Sequence, residues 1–477
     1  MNHRTLLLAL LPLFGSGCVG NSPTAFAQTQ PIPIITAALY DSTSLFFGDF
    51  GNYPKCNAAA PIGIFDSGTG GLTVMEAIVT LDLFNNVSGE EVPDGICDFA
   101  GESFIYLADQ ANMPYGNYSS ENKTDFLREL VIKDILFLTG QKVKSIVIAC
   151  NTATATGLND VQLLLEKSKT GVTALGVINA GVKGALAQLS KDESATIGVM
   201  ATVGTIKTEG YEKTIRAMAK ELGYTGMLHI VNQPAMGFAE AVDEEPDFVD
   251  RTATRPRPHY RGPSLTHPDH PIDPKLLDIY HFDFSHNGII TEGPDDHLTQ
   301  LQLNAAQNYA RYHLLSLVEQ LRNTPNPPPL KVLIMGCTHY PYHKETLHAM
   351  LQELRNYCLD GTYPYKNLIS EEVSLVDPAI YTARELYLLL REQNLLTHSS
   401  LSIHSDFYIT IPNKEIEGVE LETPDRFTYA YKYGRTPGTS LEYVLTVPFS
   451  SSNIDKETMN RFCTSIPATF SLISNME

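Results

Sequence analysis

Two short apolar stretches, each ending on a cysteine, constrain the fold of this chain more than any other feature. They are KSIVIACNTATAT at residues 144–156 and KVLIMGCTHYPY at residues 331–342. An apolar run of this length, followed by small polar residues and a helical pattern, indicates a buried parallel strand. Cys150 and Cys337 are therefore expected just beyond the carboxyl ends of two strands, where open α/β sheets bind ligands. We predict that these two thiols face one another across one substrate.

The sequence around the first stretch recurs later in the chain. PIGIFDS at residues 61–67 is echoed by TIGVMAT at 196–202, and ACNT is echoed by GCTH. Two imperfect copies predict an α/β fold with two similar lobes, mainly parallel sheets flanked by helices, and the active site between them. The first lobe is predicted at 61–170 and the second at 171–241 and 296–395, with approximate boundaries and with exchange of segments left open.

Three further segments lie outside these lobes. An irregular N-terminal arm is predicted at 28–60. The stretch 242–295 alternates acidic, basic and proline-rich sequence, which predicts a solvated surface insertion, and its histidines lack regular ligand spacing, so no metal site is predicted. Residues 396–477 contain FYITI, FTYAYKYG and LEYVLTVPF, which predict an appended β-rich segment or an arm that packs on the core.

Charge and cysteine content exclude several classes of function. The 477 residues include 54 acidic and 34 basic side chains, for a net charge of -20, so no nucleic-acid partner is expected. The seven cysteines form no C-x-x-C pair, which argues against a zinc ribbon or a thioredoxin-type site. Disulfide pairing among Cys56, Cys97, Cys358 and Cys463 is left open, because connectivity does not follow from sequence.

The first 27 residues have the layout of a secretory signal peptide. His3 and Arg4 precede an apolar run at residues 6–13, and small residues follow. GSGC at residues 15–18 resembles a lipoprotein box that would lipidate Cys18, whereas AFA at 25–27 suits ordinary signal peptidase. The sequence thus predicts an exported protein, either periplasmic or a membrane-anchored lipoprotein, with contact to a membrane only through a lipid on Cys18.

Four motifs, taken together and in this order, point to one family. They are IGIFDSGTGGLTV (62–74), ANMPYG (111–116), ACNTATA (149–155) and GCTHYP (336–341). Over residues 61–240 and 296–390 the chain resembles the glutamate racemases and the wider cofactor-independent Asp/Glu racemase family. The resemblance implies an isomerase without cofactor or metal that racemises an acidic amino acid, L-glutamate to D-glutamate, in peptidoglycan biosynthesis.

The resemblance also implies roles for particular residues. Cys150 and Cys337 would be the proton donors and acceptors, with Asp66 and His339 as polar partners that tune or orient them. The family's thiol-orienting Glu follows a Cys-Pro motif, for which this chain has Gln233 and a proline, and Glu240 is expected to be that acid. Substrate contacts would come from Asp66, Ser67, Tyr115, Gly116, Asn151, Thr152, Thr338 and His339.

The chemistry suits thiols at these positions. Racemisation removes the Cα proton from one face and delivers a proton to the other, so two opposed acid/base groups suffice. A free thiol has a pKa of about 8.5, and a helix N-terminus or a nearby cation lowers it. A thiol whose pKa lies near the working pH acts in both directions. We therefore expect both thiol pKa values to be lowered.

Alternatives remain at this stage. Asp66 could be a helix cap, His339 a buried core histidine and Tyr115 a packed loop residue. Aspartate or another acid could replace glutamate, and a homodimer is left open. The competing function is an exported amino-acid-binding protein on a racemase scaffold, in which catalysis is lost or incidental. Export itself is unexpected for a glutamate racemase, because an oxidising compartment threatens facing thiols with a disulfide.

Overall fold

The computed structural model describes residues 31–294, 297–397, 404–438 and 442–474. The predicted signal peptide at 1–27, including Cys18, lies outside the described residues. The contacts divide the chain into Met1–Pro31 and Ile32–Glu477, and the fold given below is that of the second unit.

Strands alternate with helices along most of the chain. The strands are β1 (Ile62–Asp66), β2 (Phe104–Ala108), β3 (Ser145–Ile148), β4 (Thr173–Gly176), β5 (Ala195–Ala201), β6 (Leu228–Pro234), β7 (Ile289–Glu292), β8 (Gln300–Leu303), β9 (Leu330–Gly336), β10 (Ile369–Val376), β11 (Asp406–Pro412), β12 (Leu421–Thr423), β13 (Arg426–Phe427) and β14 (Val444–Pro448).

Most of the connections between parallel strands contain helices. The helices are α1 (Pro33–Tyr40), α2 (Leu72–Val79), α3 (Gly116–Ser120), α4 (Thr124–Gly140), α5 (Asn151–Ser168), α6 (Val177–Leu186), α7 (Val203–Lys207), α8 (Gly210–Glu221), α9 (Phe238–Val242), α10 (Leu277–Tyr280), α11 (Ala306–Arg322), α12 (Lys344–Asn356), α13 (Pro378–Glu392), α14 (Tyr429–Gly434), α15 (Lys456–Ser465) and α16 (Pro467–Ser474).

The first sheet contains six strands in the order β14-β11-β2-β1-β3-β4. All neighbours pair in parallel except β11 and β14. Every residue of β1, β2 and β3 is buried, which explains why these strands are continuous apolar runs rather than alternating ones.

The second sheet contains four parallel strands in the order β10-β9-β5-β6. The predicted fold class, with mainly parallel sheets flanked by helices and an added C-terminal β segment, is therefore confirmed. The change of sheet falls later than the predicted lobe boundary, because β4 pairs with β3 and not with the strands of the second sheet. The first sheet thus extends to residue 176.

Part of the insertion at 242–295 differs from the solvated loop that its composition predicts. Phe248, Ile272, Tyr280 and Phe282 are buried in the same core as helix α11 and strand β9. Its end also pairs with the chain beyond it, because β7 and β8 form an antiparallel hairpin. Aromatic residues spaced between the prolines supply enough apolar surface to fix this part of the segment on the second sheet.

The C-terminal segment is integrated into the first sheet rather than simply appended. Strand β11 pairs in parallel with β2, and β14 closes that edge in antiparallel orientation. Helices α15 and α16 follow, and Phe462 of α15, Ile466 between the helices and Ile473 of α16 enter the core that includes α2. Among the described residues, the helices include none that is long and apolar enough to cross a membrane.

Candidate active site

The first cysteine lies at the end of the first sheet beside the Gly-rich turn. The N–H of Ala149 donates to the carbonyl of Phe65, so β1 and β3 end side by side. Cys150 is the N-cap of α5, and its Sγ accepts the N–H of Ala153 at 3.4 Å. The same sulfur lies 3.5 Å from the hydroxyl oxygen of Ser67, to which its thiol donates. This arrangement places Cys150 and Ser67, two of the predicted site residues, in direct contact.

Asp66 shapes the Gly-rich turn from below. Its Oδ2 accepts the N–H groups of Gly71 at 2.9 Å and of Gly68 at 3.2 Å. Burial raises the pKa of Asp66 above its ordinary value, while the two N–H groups and the nearby His339 act in the opposite direction. Asp66 therefore caps the turn that leads into α2. Its carboxylate also lies close enough to His339 to interact with it electrostatically.

The second cysteine follows β9 at the matching edge of the second sheet. Pairing of Ala201 with Gly336 brings the ends of β5 and β9 together. The Nδ1 of His339 lies 3.4 Å from the Sγ of Cys337, and its Nε2 lies 3.0 Å from Oδ2 of Asp243. Cys337, His339 and Asp243 therefore form a continuous hydrogen-bonded chain.

The Gly-rich turn beside Cys150 meets the turn that contains Cys337 at Gly70. A Cβ added to Gly70 would lie 2.9 Å from Cε1 of His339 and 2.9 Å from Oγ1 of Thr338, so only glycine fits here. The hydroxyl oxygen of Thr73, in the first turn of α2, lies 3.4 Å from the carbonyl oxygen of Thr338. The Gly-rich turn of the first sheet thus packs directly on the Cys337 turn of the second.

A small cavity lies at this junction. Its lining includes Asn151, the residue after Cys150, together with Cys337 and Thr338. Asp377, which caps α13 by accepting the N–H of Ala379 at 2.9 Å, lines the same cavity. Residues from both cysteine turns therefore border one space.

Known proteins of similar sequence share one name. The glutamate racemase of Lactobacillus johnsonii (strain CNCM I-12250 / La1 / NCC 533) is 25% identical over 350 residues, which cover 73% of this chain and 88% of that protein. The glutamate racemase of Thermoanaerobacter sp. (strain X514) is 36% identical over 163 residues, which cover 34% of this chain and about half, 49%, of that protein. Over most of its length the chain is thus similar to glutamate racemases, which are isomerases.

Other comparisons add less. The crystal structure of glutamate racemase isoform RacE1 from Bacillus anthracis is 23% identical, covers 74% of this chain and 88% of its own chain, and superimposes with a TM-score of 0.44. No family model matches the chain.

The acid that contacts His339 is Asp243. Glu240, the thiol-orienting acid that the resemblance implies, interacts with His339 electrostatically, and its role stays a prediction. Burial lowers the pKa of His339, but the Asp243 carboxylate and the Cys337 sulfur outweigh it, and the pKa lies well above its ordinary value. Burial raises the pKa of Asp243, but His339 and Arg461 outweigh it, and the pKa is lowered. Both shifts favour an imidazolium–carboxylate pair. Glu240 lies nearby, and its burial raises its pKa.

The first thiol also differs from expectation. Burial raises the pKa of Cys150 to about 12, and the Asp66 carboxylate adds to the effect, while the Ala153 N–H and Ser67 oppose it. The helix N-terminus does contribute, as the sequence predicts, but desolvation outweighs it. Cys150 is therefore a thiol rather than a thiolate at neutral pH in this structure.

Asn151 and Thr152 are held by residues of the predicted second lobe. The hydroxyl of Tyr211 donates to Oδ1 of Asn151 at 2.7 Å, and the hydroxyls of Thr152 and Thr205 lie 3.2 Å apart. Oδ1 of Asn151 accepts this hydrogen bond, and the residue lines the cavity, so its Nδ2 group is a candidate donor for a ligand there. Tyr211 and Thr205 are not part of the predicted site. The signal for Thr205 is its place after the echoed strand, whereas Tyr211 belongs to no motif.

The side chain of Tyr115 packs inside the protein, which was the alternative to its predicted contact with substrate. Its hydroxyl is buried and lies 2.6 Å from Oδ2 of Asp109 and 2.8 Å from Oδ2 of Asp134. Only its backbone and that of Gly116 remain for the predicted contact. A Cβ added to Gly204, at the start of α7, would lie 2.3 Å from Cα of Gly116, so the two backbones touch.

The remaining cysteines form no disulfide among the described residues. In the described part of the chain, each of the six cysteines is a free thiol, including Cys56, Cys97, Cys358 and Cys463. Within the same residues, His, Cys, Asp and Glu side chains form no group of three or more suited to hold a metal ion.

Proposed function

We propose that the chain racemises glutamate without a cofactor, with Cys150 and Cys337 as the acid/base groups on opposite faces of Cα. The observation that supports this most strongly is the junction at Gly70, where the turn beside Cys150 packs on the turn that follows Cys337. Homologues named glutamate racemase support glutamate as the substrate. Aspartate remains the alternative among acidic amino acids.

The reaction consists of two proton transfers. One thiolate takes the Cα proton, and the electron pair of the C–H bond passes into the substrate carboxylate system as a carbanion. The opposite thiol gives its proton to the other face of Cα, which inverts the configuration and leaves that sulfur as the thiolate. The numbers of protons and charges are unchanged by the conversion. The two cysteines have exchanged roles, so the return reaction starts from the opposite thiolate.

The surroundings of the two sulfurs favour different roles for them in the conversion. Cys150 is the proton donor, because burial keeps it protonated. Cys337 accepts a hydrogen bond from the Nδ1 of His339, whose imidazolium form Asp243 stabilises. In this state Cys337 would remove the Cα proton and Cys150 would supply the new one.

Hydrogen-bond donors around the cavity would stabilise the substrate. The Nδ2 group of Asn151 and the hydroxyl of Thr338, which also lies 3.4 Å from Nδ1 of His339, would donate to carboxylate oxygens, and the N-terminus of α5 adds N–H groups and a favourable dipole. Donors fixed before the reaction stabilise the charge that develops on the carboxylate as the proton leaves. The product would be D-glutamate, the form that the family supplies for peptidoglycan.

Measuring racemisation tests the proposal directly. The full-length protein, kept reduced, is incubated with L-glutamate and separately with D-glutamate, and the enantiomers are quantified by chiral chromatography. We expect each to convert to the racemate, with aspartate as the comparison substrate. Binding of glutamate by calorimetry without conversion or Cα exchange in D₂O would instead support an amino-acid-binding protein. Export remains a prediction from residues 1–27 and is tested by locating the protein in cell fractions.

A further inference from the structure

The C-terminal helices connect the two halves of the site. Phe462 and Ile466 of the α15 region are buried in the core that includes α2. At the start of α16, the N–H groups of Ala468 and Thr469 donate to the two carboxylate oxygens of Glu76 on α2, at 3.1 and 2.7 Å. The segment 456–474 is therefore fixed on the first-sheet side of the site.

From this position, one side chain reaches the other half. The Nη1 of Arg461 lies 2.9 Å from Oδ1 of Asp243, which follows α9. Oδ2 of the same carboxylate contacts Nε2 of His339. Asp243 is thus held at both oxygens, by a cation from the C-terminal helix on one side and by the histidine of the Cys337 turn on the other.

We propose that Arg461 is a positioning residue for proton transfer at Cys337, acting through Asp243 and His339. This inference rests on the proposed racemisation. A guanidinium stays charged at every pH of interest, so it holds Asp243 in place and ionised. An ionised Asp243 keeps His339 as a donor to the Cys337 sulfur. Arg461 lies outside residues 61–240 and 296–390, where the racemase motifs lie.

Other charged and titratable groups also lie around the series of contacts from Arg461 through Asp243 and His339 to Cys337. These groups influence how its protonation changes with pH. They are Asp66 after β1, Glu76 on α2, Glu240 and Glu245 around α9, Arg261 in the insertion, and Cys337 and Tyr342 after β9. Most are acidic, so Arg461 offsets a local excess of negative charge. Removing it would therefore raise the pH at which Asp243 takes up a proton.

The test compares full-length wild type with Arg461→Gln, Arg461→Lys and Arg384→Gln. Arg384 is the matched control, because it forms an arginine–carboxylate pair of similar exposure with Glu91 at 2.9 Å, away from the cysteine turns. Since Arg461 is partly exposed, we expect Arg461→Gln to lower kcat by about two- to fivefold with KM little changed. The acid limb of kcat/KM should move to higher pH, and Arg461→Lys should restore most of both.

Isotope effects separate this role from general support of the fold. With 2-deuterated substrates, each enantiomer reports only the cysteine that removes its proton. Arg461→Gln should raise the primary isotope effect for the enantiomer that Cys337 deprotonates and lower it for the other, because only the Cys337 step is slowed. Equal changes for both enantiomers, or changes matched by Arg384→Gln, would overturn the inference.

A measurement independent of turnover completes the design. NMR titration of the His339 imidazole should give a pKa in Arg461→Gln that differs from wild type, and an unchanged value in Arg384→Gln. If His339 titrates identically in wild type and Arg461→Gln, the link through Asp243 does not exist. If it shifts as expected while wild type converts neither glutamate nor aspartate, the link stands and the proposed function fails.

Discussion

Asp243 and His339 form a hydrogen-bonded pair, with 3.0 Å between Oδ2 and Nε2. The pair lies behind Cys337 and raises the pKa of His339 despite its burial. Replacing the carboxylate by an amide in Asp243→Asn removes this charge. We expect kcat to fall about 10²-fold, the lower end of what a general acid–base group contributes. The basic limb of the kcat/KM profile should move to lower pH, because the imidazolium is no longer stabilised.

Glu240→Gln is the matched comparison for that variant. Glu240 lies on α9 just before Asp243 and is the acid that the racemase motif predicts, and the amide keeps its shape while removing its charge. Its kcat should stay within a few-fold of wild type. A larger loss in Glu240→Gln than in Asp243→Asn would show that the motif, rather than the observed contact, identifies the functional acid.

The sequence predicts the strands that end on Cys150 and Cys337 because apolar runs bounded by small residues have few alternative structures. Asp243 is missed because the family's Cys-Pro spacing is altered at Gln233, and spacing alone cannot show which carboxylate turns toward His339. Arg461 is missed for a different reason. It is 218 positions from Asp243 along the chain, as the numbering shows, and no motif links a C-terminal helix to the site.

Sequence motifs also do not predict the neighbours that surround each side chain of the site. The position of Cys150 at a helix N-terminus predicts a lowered thiol pKa, yet complete burial beside Asp66 raises it to about 12. The hydroxyl of Tyr115 is directed to Asp109 and Asp134, which lie in β2–α3 and α4 and belong to none of the four motifs. Both outcomes depend on which neighbours the fold brings close.

The contact between Gly204 and Gly116 predicts that glycine is strictly required at position 204 but not at position 116. In Gly204→Ala the new Cβ would lie 2.3 Å from Cα of Gly116, and backbone cannot move aside as a flexible side chain can. We expect the free energy of unfolding to fall by about 1–3 kcal/mol, as for other overpacked sites. Racemisation should fall as well, because the ANMPYG loop is displaced.

Gly116→Ala is the control for this contact. A Cβ at Gly116 would lie 3.4 Å from Cα of Gly204, an ordinary contact distance. Urea unfolding of the two variants should therefore show a loss of stability for Gly204→Ala and little change for Gly116→Ala. Equal losses in both would contradict the asymmetric packing.

The buried carboxyl of Asp134 predicts a pH-dependent stability. Burial and the neighbouring Asp109 raise its pKa well above the ordinary value. The Tyr115 hydroxyl has one hydrogen for two carboxyls, so the Asp134 proton supplies the second hydrogen bond. A raised folded-state pKa stabilises the fold fully below the unfolded-state value of about 4, and this contribution is lost as the pH rises through the folded-state pKa.

Asp134→Asn tests that linkage, because the amide donates to Tyr115 without a titrating proton. Urea midpoints measured from pH 5 to pH 9 should decline less steeply for the variant than for wild type. The difference should be greatest at alkaline pH, where wild type must ionise the buried carboxyl. Parallel curves would mean that Asp134 does not hold the proton.

Deuterium incorporation during the first turnovers in D₂O tests the two-thiol mechanism most directly. L-Glutamate is incubated with the reduced full-length protein, the reaction is stopped at low conversion, and both enantiomers are analysed by mass spectrometry. With Cys150 and Cys337 on opposite faces, deuterium should appear at Cα of the D-glutamate formed and be nearly absent from the remaining L-glutamate. Both Cys150→Ser and Cys337→Ser should abolish conversion. Deuterium at equal levels in recovered substrate and product, or full activity in either serine variant, would contradict the mechanism.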